Sequence, residues 1–326
     1  VYTVRRRLKE DMALEAPTFL SAEPRVFEAI YTGADRKFRA ASAPRRALAT
    51  FLLGQSRRLS EKRLTRLTNK LLEPEASRGR RFGWWLRYHL TSLPNRPFHG
   101  LGKLLVYRKI LKATGGKLRG AISGGGALPR HVEGFFDTVG LPILVGYGLT
   151  ESSPVVACRR PERNIRGTIG QVRPEPEVQV RGRLGEPVPP GEEGVLWFRG
   201  PQVFDGYYRD PELTAKVLDS HGWFDTGDLG RILPWGDIVF TGRAKETIVL
   251  MNGENVEPEP LELALLASRL ILQVLVLGQD KKHLGALVVP DVPALTEVLG
   301  EEPRLNPGGR AQAAISSEVN RILGHR

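Results

Sequence analysis

Between residues 118 and 157 the chain alternates short apolar runs with one amphipathic stretch. AISGGGALP, RHVEGFFDTVG and PILVGYGLTE follow one another. The pattern predicts strand, Gly-rich turn, helix, strand and turn. Such alternation argues for a parallel sheet covered by helices. Upstream, an extended stretch enters through Pro17, and a helical pattern runs from Val26 to Tyr31. Residues 36–117 read as helical, with breaks near Pro74–Arg80 and at Pro94–Pro97. There Leu48, Phe51, Leu52, Leu59, Leu64, Leu67 and Leu71 recur at helix-like intervals.

From Arg166 to Phe240 the period shortens. TIGQV, EVQVRG, GVLWFRG and DIVFTGR are short strands set between Gly/Pro turns, which predicts a compact, barrel-like β subdomain. Beyond it come an IVLMNGENV hairpin, a helix over about 258–269 and strands at ILQVLVLG and GALVVP. The most apolar window, residues 261–278, carries Glu262, Arg269 and Gln273, which are costly at a bilayer centre. It therefore reads as helix then strand. No internal repeat or low-complexity tract is visible.

The 326 residues suffice for two domains and a sizeable core. A single cysteine, Cys158, excludes an internal disulfide framework and fits a reducing compartment. Residues 36–117 hold 21 Lys and Arg against three acids, a net +18 that leaves −6 for the rest of a +12 chain. A mildly acidic body thus carries one very basic segment. That segment has three readings: a solvated helical surface, a membrane-surface contact, or a nucleic-acid contact without a recognised motif. Trp84, Trp85 and Tyr88 beside Arg78, Arg80, Arg81 and Arg87 suit the second. The six histidines show no metal-ligand spacing, so no catalytic histidine, nucleophile or zinc site is assigned.

Candidate chemistry concentrates in residues 222–259, where GWFDTGDLG precedes a short strand and GRAKETIVLMNGENVEPEP. Asp228 can accept hydrogen bonds from two vicinal hydroxyls, because a carboxylate offers two oxygens. Arg243 is a rigid fork of donors suited to phosphate or ribose oxygens. Together they read as a grip on a nucleotide's sugar. GYGLTE at 146–151 adds an aromatic face, a hydroxyl and a carboxylate in one short turn.

These blocks resemble the adenylate-forming (AMP-binding) superfamily, and within it the long-chain fatty acyl-CoA and acyl-carrier-protein synthetases of bacterial or cyanobacterial type. PTFLSAEPRVFEAIY, AISGGGALPRHVEGFF, VGYGLTESSPVV, GVLWFRGPQVFDGYYRDPELTAKVL and the block from Gly222 to Glu262 carry the resemblance. It implies an α/β fold: part of the family's large domain over residues 1–243, then a small, mobile, incomplete α+β domain over 244–326. It also implies ATP-dependent joining of a fatty acid to coenzyme A or acyl-carrier protein through an acyl-adenylate, with Mg²⁺.

By the resemblance, Tyr147 stacks on adenine beside Gly148, Thr150 bonds the α-phosphate, and Glu151 holds Mg²⁺. Read without the family, Tyr147 is a core aromatic at a strand end, and Thr150 and Glu151 are a helix start. Gly124, Gly125 and Gly126 let backbone approach the adenine and the acyl carbonyl. Asp228 and Arg243 hold the ribose. Lys245 is the hinge about which the small domain turns between half-reactions. Gly253 lines the pantetheine channel.

Two family pieces have no counterpart here. Nothing before Pro17 resembles the phosphate-gripping loop, and no Gly-Lys motif follows the final helix pattern. The polypeptide therefore reads as cut at both ends, which predicts no useful adenylation by it alone. A cytoplasmic location, peripheral at the membrane face, is the accompanying expectation. The alternatives are a ligase for aryl or other carboxylic acids, and a non-catalytic membrane-surface protein on a decayed ligase fold.

Overall fold

A computed structural model describes residues 7–73, 75–112, 114–172, 176–182, 184–303 and 309–324. The chain gathers into two compact units. One comprises Val1–Glu177, Gly200–Gly206 and Ile232–Val239; the other comprises Val178–Arg199, Tyr207–Arg231 and Phe240–Arg326.

The first unit opens with α1 (Leu8–Glu15), β1 (Phe19–Ala22) and α2 (Pro24–Arg39). Pro24 starts α2 at a position where its missing N–H costs nothing. α3 (Ala43–Leu72), α4 (Arg78–Ser92), α5 (Arg96–Gly102) and α6 (Arg108–Lys112) follow, with a π turn at Lys103–Tyr107. The break expected near Pro74–Arg80 falls between α3 and α4, although Pro74 itself lies outside the described residues. The leucine stripe of α3 is wider than the face it buries. Leu52 is fully buried, whereas Leu48 and Phe51 keep 44% and 46% exposure. Phe51 meets the edge of Phe98 at 5.2 Å while still facing solvent.

The sheet continues with β2 (Gly120–Ser123), α7 (Arg130–Val139), β3 (Ile143–Gly148), β4 (Val155–Cys158) and β5 (Gln171–Val172). Strand order is β1-β2-β3-β4-β5. β1, β2 and β3 run parallel, as the alternation predicts, but β4 and β5 join antiparallel. TIGQV thus contributes the last strand of this sheet. Val132, Phe136 and Val139 line the buried face of α7 at helical spacing. Gly140, at φ 85°, closes that helix in the left-handed region. Phe27 of α2 meets Phe136 edge to face at 5.8 Å, fixing the two helices against each other.

β6 (Glu177–Arg181), β7 (Gly194–Arg199), β8 (Phe224–Ile232) and β9 (Ile238–Arg243) make a four-stranded sheet in sequence order. α8 (Pro211–Val217) is capped by the Asp210 carboxylate, which accepts from Leu213 N at 2.9 Å. The remaining residues form β10 (Ile248–Val249), β11 (Asn255–Val256), α9 (Pro258–Leu265), β12 (Ile271–Leu277), β13 (Gly285–Pro290), α10 (Val292–Leu299) and α11 (Arg310–Leu323). Ile248, Leu250, Leu265, Ile271 and Val276 form one buried cluster among them, and Leu270, Ala294, Leu295 and Ala311 form a second. The expected helix over 258–269 stops earlier. Its last turn tightens as Ser268 N bonds Leu265 O, and the Ser268 hydroxyl then accepts from Leu270 N at 3.1 Å to launch the strand. Among the described residues no helix is long and apolar enough to cross a membrane.

Candidate functional site

The first constellation stands at the C-terminal ends of β2 and β3. In parallel sheets that edge is where ligands bind, because loops there are free to vary above a rigid sheet. Ser123 pairs with Val145 in register, so the Gly124–Gly126 loop and the Tyr147–Glu151 loop leave the sheet side by side. A Cβ on Gly124 would sit 3.3 Å from the Gly146 carbonyl, which leaves no slack between the loops. Gly125 adopts φ 78° and faces open space, a backbone position that L side chains resist. Ser123 is 1% exposed, and its buried hydroxyl has no hydrogen-bond partner in the structure.

Tyr147 is half-buried at the end of β3, and Thr150 is exposed on a short turn with half-buried Glu151 beside it. The helix-cap reading of Thr150 is not realised. Ser152, fully buried, closes the turn instead. Its hydroxyl accepts from Leu149 N at 3.0 Å and donates to the Pro154 carbonyl at 2.7 Å. The Glu151 carbonyl accepts from Phe204 N at 2.8 Å. Ser152 therefore sets the direction of Thr150 and Glu151. Its only sequence signal is a serine two residues after that threonine.

Gly148 is required by sterics. A Cβ there would lie 1.7 Å from the Pro154 oxygen, a backbone atom that cannot rotate away. Gly148→Ala should displace the Thr150–Glu151 turn, since β3 and β4 cannot both hold their register around it. Loss of the Ser152-centred turn in amide exchange, with α7 still protected, is the expected outcome; an unchanged exchange pattern would refute it.

The second constellation lies on β8 and β9. FDTGDLG reads as a turn in the sequence, but the structure draws it into one nine-residue strand. The β7–β8 register explains the difference. Val195 faces Leu229 and Trp197 faces Asp225, so two steps on one strand meet four on the other. Residues Thr226–Asp228 form a bulge, with Gly227 at φ 67°. Gly227 N bonds the Asp225 carboxylate at 2.8 Å, and Asp228 N bonds the Thr226 hydroxyl at 3.0 Å. That hydroxyl donates to the Leu196 carbonyl at 2.7 Å. Thr226 is thus a positioning residue that the sequence reading missed. Its signal is a hydroxyl two residues before the acid.

A bulge re-aims a side chain, and here the side chain is Asp228. Its carboxylate is buried, and Arg243 Nε lies 3.3 Å from Oδ1. The Arg243 side chain remains 59% exposed. Ala244 N, just beyond β9, bonds the Gly227 carbonyl at 2.9 Å and ties the two strands together at this point. Carboxylate and guanidinium therefore meet on neighbouring strands.

Lys245 is exposed in the turn after β9, and Gly253, at φ 82°, is exposed in the turn joining β10 to β11. Near Arg243, burial pushes the half-buried Glu259 carboxyl above its ordinary range. The Glu246, Glu262 and Asp228 charges push the same way, while Arg243 opposes them. A carboxyl raised in the fold favours stability below its unfolded value and loses that contribution as pH rises through the folded value. Glu259→Gln should therefore raise the melting temperature at pH 7 and leave it unchanged near pH 4; a stabilisation equal at both values would contradict the assignment.

Among the described residues no three His, Cys, Asp or Glu side chains gather to hold a metal. A half-buried carboxylate such as that of Glu151 fits Mg²⁺, which takes most of its oxygens from phosphate and water. 

The chain belongs to the AMP-binding enzyme family: that family's model matches residues 2–208, and the model of the AMP-binding enzyme C-terminal domain matches 245–304. A probable acyl-activating enzyme 16, chloroplastic, of Arabidopsis thaliana is 40% identical over 98% of this chain and 45% of its own length. A long-chain-fatty-acid–acyl-carrier-protein ligase, chloroplastic, of the same plant is 40% identical over 89% of this chain and 42% of its own. The chain thus spans under half the length of these relatives. The adenylation domain of a Mycobacterium chelonae carboxylate reductase superposes with a TM-score of 0.66 at 23% identity, covering 97% of this chain and 40% of that one. That likeness establishes the adenylate-forming fold.

Proposed function

We propose that the chain is part of an ATP-dependent ligase that joins a long-chain fatty acid to coenzyme A or acyl-carrier protein by way of an acyl-adenylate. The observation that carries this reading is the Asp228–Arg243 pair, built on a bulge that aims a buried carboxylate across two strands. The fatty-acid relative named above supports the substrate class.

In this reading Asp228 accepts hydrogen bonds from the two ribose hydroxyls, and Arg243 supplies donors to ribose and phosphate oxygens. Tyr147 presents its face to the adenine. Gly124, Gly125 and Gly126 let backbone approach the base and acyl carbonyl. Thr150 donates to the α-phosphate, where negative charge builds as the fatty carboxylate attacks the phosphorus and pyrophosphate leaves. Glu151 would hold Mg²⁺, which would supply positive charge against the repulsion between that carboxylate and the triphosphate. The sulfur of a thiol then attacks the acyl carbon and gives up its proton, the acyl C–O bond to the phosphate breaks, and AMP leaves. The exposed side chain of Lys245 suits a pivot, and the C-terminal family match begins at that residue. Gly253 lines the path of the pantetheine arm.

A non-hydrolysable palmitoyl-adenylate analogue tests the substrate class. It should raise the melting temperature more than AMP does, because the alkyl chain adds buried apolar area. A benzoyl analogue that stabilises more than the palmitoyl one would shift the reading to aryl acids. No shift with any adenylate would overturn it.

A further inference from the structure

α4 has one covered face and one uncovered apolar face. Tyr88, Thr91 and Ser92 lie on the covered face. The Arg66 guanidinium of α3 stands 5.1 Å over the Tyr88 ring, and Lys62 of α3 bonds the Thr91 carbonyl and reaches Asn95 Oδ1 at 3.0 Å. On the other face Phe82, Trp85, Leu86 and Leu90 recur at helical spacing, continued by Leu93 in the turn just past the helix, and they are 59%, 42%, 40%, 62% and 61% exposed. Phe82 and Trp85 stack on each other at 5.7 Å, forming a flat aromatic end to the stripe.

The charge around the stripe is predominantly positive, with Glu73 pairing with Arg80 at 2.8 Å at the start of the helix. No Asp or Glu occurs from Ala76 to Val132, a segment with twelve Lys and Arg. Arg78 and Arg87 are exposed on α4 itself, and exposed Lys103, Arg108 and Lys109 follow. A solvated surface helix has no need of five exposed large apolar residues at one spacing. A nucleic acid would match the charge and could stack on Phe82 and Trp85, but it gains nothing from three leucines. A bilayer with anionic headgroups satisfies both features: it buries leucine and aromatic side chains at the headgroup boundary and attracts the cations around them.

We propose that the uncovered face of α4 is a docking surface for anionic phospholipid membranes, lying in the interface plane with Phe82, Trp85, Leu86, Leu90 and Leu93 inserted. This inference stands apart from the ligase reading, because none of these residues belongs to either constellation described above. Its consequence for a fatty acid ligase would be access to a substrate that partitions into bilayers.

The test is co-sedimentation with vesicles of phosphatidylglycerol and phosphatidylcholine, against vesicles of phosphatidylcholine alone. The chain should bind the anionic vesicles at least about tenfold more tightly, and about 0.5 M salt should weaken capture by screening. Leu90→Ser with Leu93→Ser should weaken binding by about tenfold or more at unchanged melting temperature, since both side chains are already exposed. Absence of binding to anionic vesicles overturns the proposal. So does binding that the double variant leaves intact, or that a single-stranded oligonucleotide displaces stoichiometrically.

Discussion

Asp228→Ala should cost about 3 kcal/mol or more in AMP binding, a loss of at least about 100-fold, with the fold intact. Two hydrogen bonds from sugar hydroxyls to a carboxylate, each worth about 1.5–3 kcal/mol, set the size. The structure explains why the fold should survive. Arg243, the side chain left behind, is more than half exposed and keeps water as a partner, so no buried charge is orphaned. The bulge is also held independently of the carboxylate, through the Thr226 hydroxyl and the Gly227 backbone. Calorimetric titration with AMP, beside a melting curve, reads both quantities. Unchanged affinity in this variant would remove the assignment of the sugar site.

Glu133→Ala is expected to cost about 3–5 kcal/mol of stability. Glu133 of α7 and Arg159, just after β4, form an ion pair whose side chains are only 5% and 3% exposed. Arg159 also donates to the Thr168 carbonyl at 2.6 Å and to Asn164 Oδ1 at 3.3 Å, while its backbone N–H bonds Val145 O of β3. Removing the carboxylate leaves a guanidinium in a site from which water is excluded. Against a total of about 5–15 kcal/mol for a typical domain, such a loss is large. Glu133→Leu with Arg159→Met should be milder than Glu133→Ala alone, because it removes both charges and refills the volume. Urea unfolding of single and double variants measures the difference, and a cost below about 1 kcal/mol for Glu133→Ala would show that the pair is not isolated from solvent. Because Arg159 grips β3, the strand that carries Tyr147, the single variant should also loosen the Thr150–Glu151 turn beyond it.

Much of the local structure was legible because it depends on spacing alone. The break between α3 and α4, the β2–α7–β3 run, the short β10–β11 hairpin and the step from α9 to β12 all follow from apolar periodicity and the placement of Pro and Gly. The Asp228–Arg243 pairing was also legible, as two side chains with matching chemistry near the two ends of a strand turn-back. The bulge was not. A left-handed glycine beside Asp and Thr has the same local chemistry in a turn and in a bulge, and only the partner strand's register tells them apart. Ser152 and Thr226 stayed hidden for a similar reason, since what they do depends on carbonyls that folding brings near: Pro154 across a turn, and Leu196 on another strand.

By itself the amino-acid sequence determined the family, the order of elements, the residue types available for chemistry and the concentration of positive charge in residues 36–117. Each is a property of neighbours along the chain. The tertiary structure alone decided that β4 and β5 run antiparallel, that the Leu48 and Phe51 positions of α3 stay exposed, and that α4 leaves an apolar face uncovered. Those outcomes depend on which surfaces meet, and the free energy of a contact is set by what lies across it rather than by what precedes it in sequence.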